Sequence, residues 1–178
     1  WVRTAPCPNP ACGVEMPLSS KWLVLDRRGR RAWLVPESSG PGDPVRFRVA
    51  REGTPPRGTV RRSRVHCVAC GQASKLASVR ESAQRGKLGL RMVAAFYTGS
   101  DGHREVVLAD EVQRSAAEGV KPRWRPSMPL QGKCRASTPL YGLETFADLF
   151  SARQLVALGA YADALRALRP RILADALA

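Results

Sequence analysis

The stretch Cys7-Pro8-Asn9-Pro10-Ala11-Cys12-Gly13, answered downstream by Cys67-Val68-Ala69-Cys70-Gly71, decides how the front of this chain folds. Each segment is a cysteine pair closed by a glycine, so two tight turns offer four thiolates. That is the ligand set of a structural Zn²⁺ site, with four sulfurs held tetrahedrally at about 2.3 Å. Gly13 and Gly71 are read as the positive-φ positions that bring backbone amides round toward the sulfurs. The spacing departs from the common form: the first pair is C-x4-C, and the 54 residues 13–66 separate the pairs where about 15–20 is usual. Disulfides and unrelated buried cysteines are the competing readings of Cys7, Cys12, Cys67 and Cys70. A catalytic zinc needs an open position and usually His or carboxylate ligands, so four cysteines point to a structural ion.

The separating residues read as short strands. Lys21–Leu25 and Ala32–Val35 flank a glycine turn and predict a hairpin. Residues 36–44, PESSGPGDP, read as a loop, and Val45–Val49 alternates apolar and basic residues as a half-buried strand does. From Arg27 to Arg64 eleven arginines face only Glu37, Asp43 and Glu52, which leaves +8 within a chain of net charge +14. Such a concentration suits a polyanion, because each neutralised phosphate releases condensed counterions. The residues singled out for nucleic-acid contact are Arg27, Arg28, Arg30, Arg31, Arg46, Arg48, Arg61, Arg62 and Arg64. The plainer alternative is a solvated basic surface in a chain that favours Arg over Lys throughout.

Beyond the second pair, residues 73–89 allow one short helix. Leu90–Thr98 reads as a strand, Gly99-Ser100-Asp101-Gly102 as a turn, and Arg104–Leu108 as the returning strand. Asp110–Glu118 reads as a short helix with Asp110 at its N-cap. Residues 121–141 carry Pro122, Pro126, Pro129 and Pro139 and read as a linker or extended arm. Ser151-Ala152-Arg153-Gln154 is a capping box, with Phe150 and Leu155 as a staple across it. Leu155, Leu158, Ala162, Leu165 and Leu168 then form an apolar stripe, read as core in preference to a partner groove and expected to be partly exposed where its natural cover is missing. Pro170 breaks or restarts the helix, and Ile172, Leu173 and Leu177 continue the pattern. The expected class is therefore α+β. A four-cysteine zinc-ribbon domain with a basic β insertion spans 1–80, a β-hairpin and short helix 81–120, a Pro-rich linker 121–142, and a helical segment 143–178.

With 15 glycines and 14 prolines among 178 residues, the fold is expected to be rich in loops. No run approaches the roughly 20 apolar residues of a membrane span, and no basic-then-apolar leader is visible. A chain that opens on Trp1 and ends inside an apparent helix reads as cut at both ends. Five cysteines without an export signal fit a reducing cytoplasm, where paired cysteines are more often metal ligands than disulfides. His66 and His103 read as surface residues, Cys134 as a bystander thiol, and Glu144 and Asp148 as acids favouring a helix N-terminus. No phosphate loop, dinucleotide fingerprint, nucleophile elbow or HExxH motif is present. Nothing in these residues argues that the chain catalyses a reaction alone.

Three stretches together resemble the DUF1156-containing adenine-specific DNA methylases. Trp1–Leu18 is similar to their first knuckle, Cys67–Gly71 to their second, and Tyr141–Leu158 (YGLETFADLFSARQLVAL) to the segment that follows. In that family a glycine motif for S-adenosylmethionine precedes this region and an Asp-Pro-Pro-Tyr-type catalytic motif follows it. Neither is here: Pro55-Pro56 is followed by Arg57. The resemblance implies a zinc-binding insertion, with no catalytic or cofactor residue to carry over. S-adenosylmethionine would then belong to the parent enzyme alone. The implied partners are DNA and the rest of the methyltransferase polypeptide.

Overall fold

A computed structural model describes residues 1–27 and 29–177. Among them the chain is α+β, with eleven strands in small antiparallel sheets and four α-helices. It divides into two compact units, Trp1–Asp110 with Ser137–Gly142, and Glu111–Ala136 with Leu143–Ala178.

In the first unit, β1 (Val2–Pro6) and β2 (Glu15–Leu18) form a hairpin whose tip is the first cysteine pair. The ladder runs into the tip, because the Cys7 N–H donates to the Val14 carbonyl at 2.8 Å. β6 (Val60–Arg61), β7 (Arg64–His66) and β8 (Ala73–Lys75) form a second antiparallel sheet, and the second pair is the tip of its β7–β8 hairpin. Between these hairpins lies an antiparallel meander of β3 (Leu23–Arg27), β4 (Arg30–Glu37) and β5 (Arg46–Ala50). β4 runs on through Pro36, which the sequence places in a loop. β3 pairs with β4 only as far as Trp33, so at Pro36 the strand has one neighbour and tolerates a residue with no N–H.

The helix α1 (Leu76–Gln84) follows β8 and buries Val79 and Ala83. Leu90–Thr98, read from sequence as one strand, is two. β9 (Gly89–Arg91) pairs with β1, whereas β10 (Ala94–Thr98) forms a hairpin with β11 (Arg104–Leu108). The chain changes sheets at Met92-Val93, both buried. The run is largely apolar and carries no glycine or proline to mark such a switch, so pattern alone joins the two strands.

Around the cysteine tips the core consists of Ala5, Val14, Met16, Val65 and Val79 with Cys7, Cys12 and Cys67 themselves. A second cluster joins Val2, Trp22, Trp33, Leu34 and Val93, and a third packs Leu25 and Ala32 against Val106. Within the span read as a linker, the 3-10 turn Pro139–Tyr141 belongs to the first unit, where Tyr141 lies against the cysteine-lined core and 5.5 Å beneath the Arg80 guanidinium.

In the second unit α2 (Glu111–Glu118) follows the sequence reading closely. The short helix α3 is Lys133–Ser137. Residues 126–130 run antiparallel to 144–147, with the Leu130 N–H on the Glu144 carbonyl at 2.8 Å, and bury Leu130 and Ala147. Asp148 serves a turn that precedes the long helix. Its carboxylate accepts the N–H and hydroxyl of Thr145, both at 2.8 Å, and caps the 3-10 turn Phe146–Leu149. The Thr145 N–H holds that carboxyl below the usual range.

The Ser151–Gln154 capping box is present, with the Ser151 N–H on Gln154 Oε1 at 2.8 Å and the Gln154 N–H on Ser151 Oγ at 3.3 Å. It opens α4 (Ala152–Leu177), which continues through Pro170 without a break. The stripe enters the core only at its first residue and is otherwise largely exposed, as expected of a face without its cover. Leu155 alone is fully buried, while Leu158, Leu165, Leu168, Ile172 and Leu173 are about half exposed and Leu177 more so. Helical spacing makes a face apolar but supplies nothing to cover it. No helix among the described residues is long and apolar enough to cross a membrane.

Candidate metal centre

The sulfurs of Cys7, Cys12, Cys67 and Cys70 all lie within 4.8 Å of one another, the one such grouping of ligand side chains among the described residues. Two contacts cross between the pairs: Cys7 Sγ to Cys70 Sγ and Cys12 Sγ to Cys67 Sγ, each 3.8 Å. A tetrahedron with metal–sulfur bonds of about 2.3 Å has an edge of about 3.8 Å, so the cluster fits a four-coordinate ion. A disulfide needs about 2.05 Å, and all four residues are thiols.

Local backbone structure makes each tip. In the first, the Cys12 and Gly13 N–H groups both donate to the Asn9 carbonyl, at 3.0 and 3.2 Å, while Asn9 Oδ1 accepts the Ala11 N–H at 3.1 Å. In the second, the Gly71 N–H donates to the Cys67 carbonyl at 3.1 Å and the Cys67 N–H to the Gln72 carbonyl at 3.0 Å. Gly13 and Gly71 have φ of 61° and 71°, the left-handed turn that glycine enters without strain.

The thiols differ in acidity. Burial pushes Cys7 up to about 12 against the opposing N–H of Asn9. Burial likewise raises Cys67, although the amides of Cys70 and Ala69 oppose it. The Gln72 N–H, aimed at the less buried Cys70 sulfur, lowers that thiol to about 7. The pocket by itself thus resists four negative charges. A metal dication reverses the balance, because it draws protons from its thiols and neutralises their charge.

Thr59 locks the two hairpins together, a role the sequence reading missed. Its buried hydroxyl donates to the Pro17 carbonyl at 2.6 Å and accepts the Ser19 N–H at 3.0 Å, while its carbonyl accepts the His66 N–H at 2.8 Å. The insertion also returns to the site, for the Gly42 N–H donates to the Cys12 carbonyl at 3.0 Å. His66 is half-buried beside Cys67 but outside the cluster. Burial first, then Arg61 and Arg64, hold its pKa below the ordinary value. His103 is half-buried in the β10–β11 turn, and Cys134 is exposed.

No protein-family model, curated protein or solved structure matches this chain.

The arginines do not share one face. Cross-strand register puts Arg46 opposite Glu37 and Arg48 opposite Val35, so these share a face with Arg31; Arg30 and Arg27, opposite each other, take the other. Several are neutralised. Arg30 pairs with Asp101 at 2.8 Å and Glu105 at 3.0 Å, and Arg48 with Glu37 at 2.7 Å. Arg31 lies 3.9 Å from Asp26, and Arg46 3.7 Å from Asp43. Arg28 lies outside the described residues. Among the described residues no ion pair reaches Arg27, Arg61, Arg62 or Arg64. Counting outward from the second tip, β7–β8 pairing adds Lys75 opposite Arg64. That cation was missed because it lies beyond the basic stretch, although hairpin arithmetic from Cys67 and Cys70 would have found it.

Proposed function

We propose that this chain is a structural zinc-ribbon module that grips duplex DNA through its phosphates, serving as an accessory part of an S-adenosylmethionine-dependent adenine methyltransferase. The observation that carries the reading is the closed cluster of four thiols on two hairpin tips. Four equivalent sulfurs leave an ion no open position for a substrate, so zinc here would organise the fold. Cys7, Cys12, Cys67 and Cys70 would hold it, and the ion would supply neutralisation of the buried thiolates. The net charge of +14 supports a polyanionic partner. The methylase setting rests on the three resembling stretches, above all Tyr141–Leu158. A methylated base must leave the duplex stack, so such an enzyme needs a firm hold on flanking backbone. Phosphate contacts supply that hold and carry no sequence information by themselves.

A second reading makes the ribbon a scaffold or protein-docking element without DNA contact. It is favoured by the acids that partner Arg30, Arg31, Arg46 and Arg48 within the fold. A mobility-shift titration of the zinc-loaded chain with a 20-base-pair duplex separates the two. Retention that weakens steeply with salt is expected, and no retention at low salt would refute DNA binding. Adjacent coding sequence is expected to carry a glycine-rich cofactor motif upstream and an Asp-Pro-Pro-Tyr motif downstream; their absence would refute the methylase setting.

A further inference from the structure

The sheet behind the second cysteine tip carries three cations side by side. Arg61 on β6 is registered with Arg64 on β7, and Arg64 with Lys75 on β8. Residues directly opposed in an antiparallel ladder project to one face, with Cβ atoms about 5 Å apart, and like charges there are destabilising. The partners elsewhere in the unit show how the fold handles such charge: Arg30, Arg31, Arg46 and Arg48 each meet an acid. Among the described residues the three-strand row meets none, and the buried Nε of Arg61 has no hydrogen-bond partner. Arg62, exposed at φ 53° in the turn that joins β6 to β7, adds a fourth cation between Arg61 and Arg64 in the sequence.

We infer that Arg61, Arg64 and Lys75 form the phosphate-contacting row of this module, set on the sheet that also presents Cys67 and Cys70. The inference rests on the DNA-binding reading above and narrows it to one sheet. Strands of an antiparallel sheet are about 4.8 Å apart, so the row places three positive groups along one line, and their long side chains can splay outward onto neighbouring phosphates of a nucleic-acid backbone. Repulsion among unpartnered cations is then a standing cost of the free chain that an anionic backbone relieves. Four arginines of the meander, Arg30, Arg31, Arg46 and Arg48, are already matched to acids and have less left to offer a phosphate.

The test compares the zinc-loaded wild type with Arg64→Gln/Lys75→Gln and Arg46→Gln/Arg48→Gln. Anisotropy with a labelled 20-base-pair duplex gives the slope of log Kobs against log[KCl], and thermal melts report folding. Losing two phosphate contacts is expected to flatten the slope by about 1.8 and weaken binding about 60-fold at 0.1 M salt. The same variant should melt at or above the wild-type temperature, because it removes like-charge neighbours. The meander variant should change the slope by less than about 0.5. If wild type binds and the Arg64/Lys75 variant keeps its slope, or the meander variant loses more, this assignment is overturned while DNA binding stands. A wild type that does not bind overturns both.

Discussion

Replacing Cys70 by serine tests the metal centre at its most exposed ligand. A serine hydroxyl is a shorter, far weaker acid than the thiol that the Gln72 amide holds at about 7, so it cannot supply the fourth anionic ligand. A structural zinc contributes about 10–16 kcal/mol of apparent folding free energy, and an equal share for each ligand is about 2.5–4 kcal/mol. That corresponds to about 10²–10³-fold in metal affinity. The surrounding cluster has few means of compensation: of its eight buried residues three are the cysteines themselves, and its largest fully buried side chain is Met16. At roughly 4 °C per kcal/mol for a unit of this size, the metal-loaded protein should lose about 10–16 °C in melting temperature. Metal content after gel filtration and melts at fixed free zinc measure both quantities. Cys134→Ser, exposed and outside the cluster, should change neither. The reasoning fails if folded wild type holds less than about one ion per chain, or if Cys70→Ser melts with wild type.

Proton competition should make zinc affinity rise with pH. In the metal-free pocket Cys7 at about 12 and the raised Cys67 are protonated near neutrality, so binding releases at least those two protons. Log K should therefore climb by at least 2 per pH unit from pH 7 to 8, and more steeply below about 7, where Cys70 also carries its proton; a chelator competition series reads the slope. Thr59→Val keeps the shape but removes the hydroxyl between Pro17 and Ser19, and should cost about 2 kcal/mol in urea unfolding. Pro170→Ala restores a backbone donor inside α4 and should slow amide exchange over residues 166–174; unchanged exchange would mean the helix is already broken there.

The sequence alone determined the ligand set, the caps and the short-range hairpins. Cysteines at the tips of tight turns, Ser151 with Gln154, and the Gly99–Gly102 turn each act through neighbours a few residues away, so local chemistry suffices to read them. The meander was legible for the same reason, apart from the extension of β4 through Pro36. Only the tertiary structure decided which strand of Leu90–Thr98 joins which sheet, because an apolar run serves any core equally. It alone left the α4 stripe largely uncovered, since periodicity describes a face and not its partner. Above all, it sorted the arginines. A charge tally counts every guanidinium alike, but Arg30 meets Asp101 and Glu105 from a distant hairpin, while Arg61, Arg64 and Lys75 meet one another. Coulomb energy depends on distance in space, and the fold sets that distance.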